Sequence, residues 1–427
     1  MDKSANDDRA GDGGNGHASE ERERALRTSL AHLRLAPHDF RVRVEAGELL
    51  IGLGERDRGL RVLRSAADYF TMAGFPLRAL WALKLLAEYG AERAEVERGM
   101  NLLAKHYAAS KKNEHGDVIL ELPVIFEDAP SLDDLPAALS GVIEEIERRA
   151  TDIVRGAIFP AKRPKFPLLS DLGRRPFLTV CKAIRLRRVD EGDLLIREGT
   201  AGQSVHLLVL GQARVVKGHG QHSAKTLARI YEGAVVGEMT LITGSPRIAS
   251  VVADGSAEIL EIPRTVLDDL GADATTLQSV LLKQVSERML GNLVKLSPVF
   301  RVLSKKSRKA LMPRFKSRIF DVDEEIISQG ETSRGLFVIL DGMVNVTRPH
   351  DGEELILNVL REGDFFGEIS LLTDLEATAT CAAVRRTMVL FLPREAFADV
   401  VRHHPELAEK INEVGEFRLL DSIYSLA

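Results

Sequence analysis

The stretch Gly237-Glu238-Met239-Thr240-Leu241-Ile242, with Pro246-Arg247-Ile248-Ala249-Ser250-Val251 a few residues on, decides the reading of this 427-residue chain. A glycine, an acid and an apolar turn lead into a Pro-Arg pair and a small-residue run. Downstream, Gly367-Glu368-Ile369-Ser370-Leu371-Leu372 repeats the front half. The repetition extends outward. Gly199 matches Gly330, Gly211 matches Gly342, Gly233 matches Gly363 and Glu238 matches Glu368, at offsets of 131, 131, 130 and 130 residues. Four landmarks in register over that distance point to an internal duplication of about 260 residues, with one deletion in a hairpin. Between the landmarks, Leu194-Leu195-Ile196, Val205 to Leu210, Ala213 to Val216 and Leu227 to Tyr231 are short apolar runs divided by glycines, the pattern of strands and turns.

The quoted stretch resembles the phosphate-binding cassette of cyclic nucleotide-binding domains, whose pattern is roughly F-G-E-ψ-A-L-ψ-x-x-x-P-R-x-A-T/S-V, where ψ is apolar. The resemblance implies an eight-stranded β-roll with a short helix in the cassette and the ligand phosphate at that helix's N-terminus, where unpaired N–H groups and the helix dipole favour an anion. It implies roles for Gly237, Glu238, Met239, Thr240, Arg247, Ile248, Ala249 and Ser250 as the ligand-binding set. Gly237 would allow close backbone approach, and Arg247 would give a forked contact to the cyclic phosphate. Glu238 would accept from the ribose 2′-hydroxyl. Ala249 would leave room for the sugar-phosphate, and Ser250 would offer a hydroxyl. Val236 stands where the pattern has Phe. Ile248, after the arginine, lacks the hydroxyl common in cGMP-preferring relatives, which tilts the expected ligand toward cAMP, with cGMP the alternative. The competing reading of Glu238 and Arg247 is a surface ion pair on an unliganded roll.

The second copy keeps Gly367, Glu368 and Ile369 but holds Glu376-Ala377 in place of Pro-Arg. Loss of one charge-assisted contact removes about 1.5–3 kcal/mol, and Glu376 adds a negative charge. Asp323 replaces a strand glycine. This pocket is expected to be degenerate, its domain structural or interacting.

From about Glu20 to Ser110, apolar residues recur at helical spacing, with Gly54, Gly74 and Gly90 as stops. Phe40 to Phe75 is a step of 35 residues, and two helical hairpins of that period resemble tetratricopeptide-type repeats in architecture, without the full signature. Such an array could dock an unknown protein partner; the competing reading is a helical domain that packs against the rest of the chain. The expected fold is therefore α+β and multidomain: a tail over 1–20, a helical domain over 21–110, a linker with a short helix over 111–160, and two β-rolls over 161–290 and 291–427. A helix from Thr265 to about Leu296 would join the rolls.

Charged residues at 28% and hydrophobic residues at 44% are ordinary for a globular protein, and the net charge of −5 gives no general pull toward nucleic acid. Cys181 and Cys381 show no metal or CxxC spacing, and a cytoplasmic, reducing setting is expected. No apolar run approaches the ~20 residues of a membrane span. There is no GxxxxGK, HExxH or GxSxG motif, and His219, His222 and His403-His404 lack ligand spacing, so neither an enzyme nor a metal or cofactor site is expected. Arg148-Arg149-Ala150-Thr151 resembles a basophilic kinase site but falls on an amphipathic helical pattern, where a solvated face is expected. The 34 residues after Pro393 are expected to close the second roll rather than form a helix-turn-helix DNA reader.

Overall fold

The computed structural model describes residues 13–37, 39–110, 131–152, 159–160, 162–166, 168–221, 224–243, 246–271, 275, 277–282, 297–311, 314–350, 352–373 and 375–424. Residues 1–12, about half of the linker, His222 and most of the expected inter-roll helix lie outside these residues; residues 13–20, expected in the tail, are instead the opening turns of the first helix.

The N-terminal part is helical: α1 (Gly13–Leu35), α2 (Phe40–Gly52), α3 (Arg56–Ala73), α4 (Pro76–Glu88) and α5 (Arg93–Tyr107). Asp39 caps α2, its carboxylate accepting from the N–H groups of Arg41 and Val42 at 3.1 and 3.2 Å. Phe40 and Phe75 each stand at the head of a helical hairpin, α2–α3 and α4–α5, which accounts for the 35-residue step. Then α6 (Leu139–Thr151) folds back on the array, burying Val142, Ile143, Ile146 and Ala150 against Leu26, Leu30 and Leu50. Arg148 and Arg149 lie off that buried face, both paired with Glu145, so the basic run is a helix surface.

Helix α7 (Arg174–Ala183) leads into the first roll, β1 (Arg185–Val189), β2 (Leu194–Ile196), β3 (Ser204–Leu210), β4 (Gln212–Lys217), β5 (Lys225–Tyr231), β6 (Val235–Val236), α8 (Glu238–Thr243), β7 (Ser250–Ala253), β8 (Ala257–Pro263) and α9 (Val266–Leu270). A 3-10 turn (Pro298–Val302) and α10 (Lys305–Leu311) precede the second. That roll comprises β9 (Lys316–Phe320), β10 (Glu325–Ile327), β11 (Gly335–Asp341), β12 (Val344–His350), β13 (Glu353–Leu360), β14 (Phe365–Phe366), α11 (Glu368–Thr373), β15 (Thr380–Ala383), β16 (Thr387–Pro393), α12 (Arg394–His403) and α13 (Pro405–Tyr424).

The duplication read from four residues is a duplication of the whole topology. The first roll has sheets ordered β1-β8-β3-β6 and β2-β7-β4-β5, all antiparallel, and the second repeats both orders eight strands later. Asp323 adopts φ +62°, where the first roll has Gly192 at +86°. Asp is one of the few L-residues whose short polar side chain tolerates that region, and both residues donate to matched carbonyls, Gly192 to Ala253 and Asp323 to Ala383. Strand β3 is buried on both faces. One face looks into its roll (Leu208, Ile259) and the other joins a cluster that continues through Phe177 and Tyr107 into α4 and α3.

Candidate functional site

The cassette begins where β6 ends. Gly237 takes φ +85°, and a Cβ there would lie 2.4 Å from Arg247 Nη1, so the conformation disfavours a side chain and one placed there would push the guanidinium aside. Arg247 follows the α8 turn, anchored by a backbone pair: Gly199 N–H donates to Arg247 O, and Arg247 N–H donates to Thr200 O, each at 2.8 Å. Its guanidinium turns inward, donating from Nη1 to Gly237 O at 2.5 Å and from Nη2 to Ser204 O at 2.6 Å. The two carbonyls take two of its five N–H donors. Burial holds this guanidinium below its ordinary pKa.

Glu238 is 2% exposed and Arg247 7%. A surface ion pair is therefore not what these residues form. Thr240 is buried against Gly202, with its methyl 2.4 Å from where a Gly202 Cβ would stand. Ala249 is buried, and Ser250 Oγ accepts from Glu198 N–H at 3.0 Å. Two expected members stand apart. Met239 packs into the cluster outside the roll. Ile248 is 51% exposed, its carbonyl taken by Lys217 Nζ at 2.7 Å, so its bulk does not crowd the interior.

One neighbour was not singled out by sequence. His206, buried inside an apolar run on β3, pairs in register with Val236 of β6 and Glu261 of β8. Burial, with Arg247 and Arg187 nearby, pushes its imidazole down to about 4 against the pull of Glu261.

In the second roll the backbone pair persists, Gly330 N–H to Ala377 O and Ala377 N–H to Glu331 O, so Ala377 occupies the arginine's place in space as well as in sequence. Gly367 again has φ +84°. Ile369 lies beside Glu368 on the cavity wall, and Glu376 is exposed.

The sequence matches the cyclic nucleotide-binding domain family over residues 186–273 and 317–404, one match on each roll. The chain carries two cyclic nucleotide-binding domains in tandem. Over 232 residues it is 24% identical to a cAMP-dependent protein kinase regulatory subunit of Yarrowia lipolytica, covering 54% of this chain and 57% of that protein. Over 210 residues it is 27% identical to the corresponding subunit of Dictyostelium discoideum, covering 48% and 62%. The chain thus spans less than two thirds of the length of these relatives. Among solved structures it is similar to the regulatory domain of Toxoplasma gondii PKA with cAMP, at 19% identity and a TM-score of 0.29, covering 58% of this chain and 92% of that one.

The helical array sits against the first domain. Arg78 of α4 pairs with Glu232 at 2.8 Å, in the turn that leads to β6 and the cassette, and Arg41 of α2 lies 3.9 Å from the same carboxylate. Tyr89 donates to Glu48 at 2.7 Å, and Arg188 of β1 bridges Glu48 and Glu258. Among the described residues no helix is long and apolar enough to cross a membrane.

Proposed function

We propose that this chain is a cytoplasmic regulatory protein whose first cyclic nucleotide-binding domain senses cAMP, with Glu238 and Arg247 as its ribose and phosphate contacts. The observation that carries the reading is the buried guanidinium of Arg247. It is held by two carbonyls beside a glycine where any side chain would push it aside, and three N–H donors remain for an anion. The two carbonyls offset only part of the desolvation of this guanidinium, and an anion would offset the rest. The names of the relatives, cAMP-dependent kinase regulatory subunits, support the same ligand and a role in regulation. The bound state would be read through Glu232, which ties the approach to the cassette to Arg78 and Arg41 of the helical array, and from there by a protein partner. The second domain would contribute structure rather than a second sensor.

Calorimetric titration of the full chain with cAMP and cGMP tests this. The expected result is one cAMP per chain, weaker cGMP binding, and loss of both in Arg247→Ala. No heat with either nucleotide would move the reading to a ligand-free scaffold. Two cAMP per chain would overturn the division between the domains.

A further inference from the structure

The second pocket is rebuilt rather than merely damaged. Where the first roll has Gly202, the second has Ser333, whose Oγ donates to Gly335 O at 2.9 Å. Gly335 begins β11 as Ser204 begins β3, so a serine hydroxyl serves the carbonyl that Arg247 serves in the first roll. The carboxylate is also claimed. Glu368 is 2% exposed, and Arg418 Nη1 pairs with its Oε1 at 3.0 Å. Arg418 also donates to Phe365 O and lies over the Phe365 ring, 4.9 Å from its centroid.

Arg418 comes from α13. That helix reaches the cassette because Gly415 faces it: a Cβ at Gly415 would already touch Glu368 Cγ at 3.5 Å, so larger side chains would lift the helix away. One turn earlier, Ile411 is fully buried. A cavity of about 90 Å³ remains, walled by Ile327, Val346, Leu360, Gly367 and Arg418. That volume is well below the usual range of ligand sites, about 300–1,000 Å³, so with the helix in this position a nucleotide would need the wall to move before it could enter.

We propose that Arg418 is an internal latch: it takes the carboxylate that a ribose would use, and so clamps the C-terminal helix over the second cassette and holds that domain in a ligand-independent state. This rests on the reading of the cassette glutamates as ribose contacts. A nucleotide entering this pocket must displace a buried, charge-assisted contact before it can use Glu368.

The test uses the full chain with Arg247→Ala in the background, so that the first domain is silent. Ser333→Gly with Ala377→Arg restores the arginine and its space, and the comparison adds Arg418→Ala. The expected result is cAMP binding at least 10-fold tighter, by calorimetry, once Arg418 is gone. Equal affinity in the two chains, or binding in neither, overturns the latch. Amide exchange on Arg418→Gln alone gives a readout without ligand. Exchange within Pro405–Tyr424 should rise at least 10-fold while β9–β16 stay protected. Unchanged protection of that helix, or loss of protection across the whole domain, overturns the proposal. Failure of the first-domain reading would appear elsewhere, as absent binding in the wild type, and would leave this exchange result standing.

Discussion

The two domains differ by a three-residue exchange whose consequence can be predicted in detail. The first holds Gly202, Thr240 and Arg247; the second holds Ser333, Ser370 and Ala377 at the same places. The first set leaves no room for the second set's serine without a shift. A Cβ at Gly202 would stand 2.4 Å from the Thr240 methyl and 3.0 Å from Arg247 Cζ. Arg247→Ala removes the donors of Gly237 O and Ser204 O. Each charge-assisted bond contributes about 1.5–3 kcal/mol. Relief of the buried charge offsets part of that sum, leaving a loss of about 2–3 kcal/mol. At about 2–4 °C per kcal/mol, the unfolding midpoint of the first domain falls by about 4–12 °C. Transplanting the other solution, as Gly202→Ser, Thr240→Ser and Arg247→Ala together, returns one neutral hydrogen bond, about 1 kcal/mol or 2–4 °C. Neither variant regains ligand. In calorimetric scans at a hundred times the dissociation constant, cAMP should add about 2.7 kcal/mol to the wild type and nothing to either variant. If the triple variant is no more stable than the single, the serine is not a substitute for the guanidinium. If cAMP still stabilises the triple variant, Arg247 is not the phosphate contact.

Gly237→Ala should lower cAMP affinity at least 10-fold in a titration, because the methyl meets Arg247 Nη1 at 2.4 Å and φ +85° adds about 1–3 kcal/mol of strain; wild-type affinity would show that the guanidinium need not sit there. A double-mutant cycle on Arg78→Ala and Glu232→Ala should give a coupling of about 0.2–1 kcal/mol in denaturant unfolding, as suits a partly exposed pair. Purely additive effects would remove Glu232 as the tie between array and cassette. Two groups set opposed pH slopes. Burial lifts Glu258 from 4.5 to about 7, against Arg188 and with Glu48 and Glu88 nearby, so the folded chain holds its proton longer and stability falls as pH rises through that window. His206, pushed from 6.5 down to about 4, contributes stability that rises with pH between those values. Urea midpoints at several pH values from 4.5 to 6.5 should therefore tilt upward with pH in Glu258→Gln and downward in His206→Phe, relative to wild type. Variants that track the wild type would show that these groups do not titrate as their surroundings imply.

Much of this was legible from spacing. Glycine positions survive duplication because turns need positive φ, and Gly199, Gly211 and Gly233 with Gly330, Gly342 and Gly363 all have it. They therefore mark register even where strand residues have diverged. The one-residue change of offset falls between Gly211 and Gly233, on the span that holds the β4–β5 hairpin, where length changes disturb no core. Gly237 and Arg247 come together in space as their order implies. Side-chain direction was not legible. Met239 and Ile248 adjoin site residues in sequence, but their side chains go to the outer cluster and to solvent, since neighbours on a short helix or an extended run face different ways. Arg418 was invisible for another reason. It lies 50 residues from Glu368, on a helix whose approach depends on Gly415, and no local pattern announces a contact made by a fold-back.

The interior of each roll carries the same division further. In the second, Phe337 of β11 stacks on Phe366 at 5.1 Å and lies 4.9 Å from Phe391, with the Arg318 guanidinium over that last ring. In the first, the same three register positions hold His206, Val236 and Glu261. An aromatic stack stabilises by burying area and by offset ring contact, about 0.5–1.5 kcal/mol per pair beyond the area. A buried imidazole facing a carboxylate and two arginines gives up that packing and adds desolvation. A roll whose only task was to be stable would gain by exchanging the second set for the first. That the domain retaining the cassette arginine is also the one retaining the polar wall is consistent with an interior arranged to meet a charged, hydrogen-bonding guest. The domain without the arginine has filled the same positions with rings, satisfied its spare carbonyl with Ser333 and neutralised its carboxylate with Arg418. On the latch proposal, each change would remove a reason for ligand to enter.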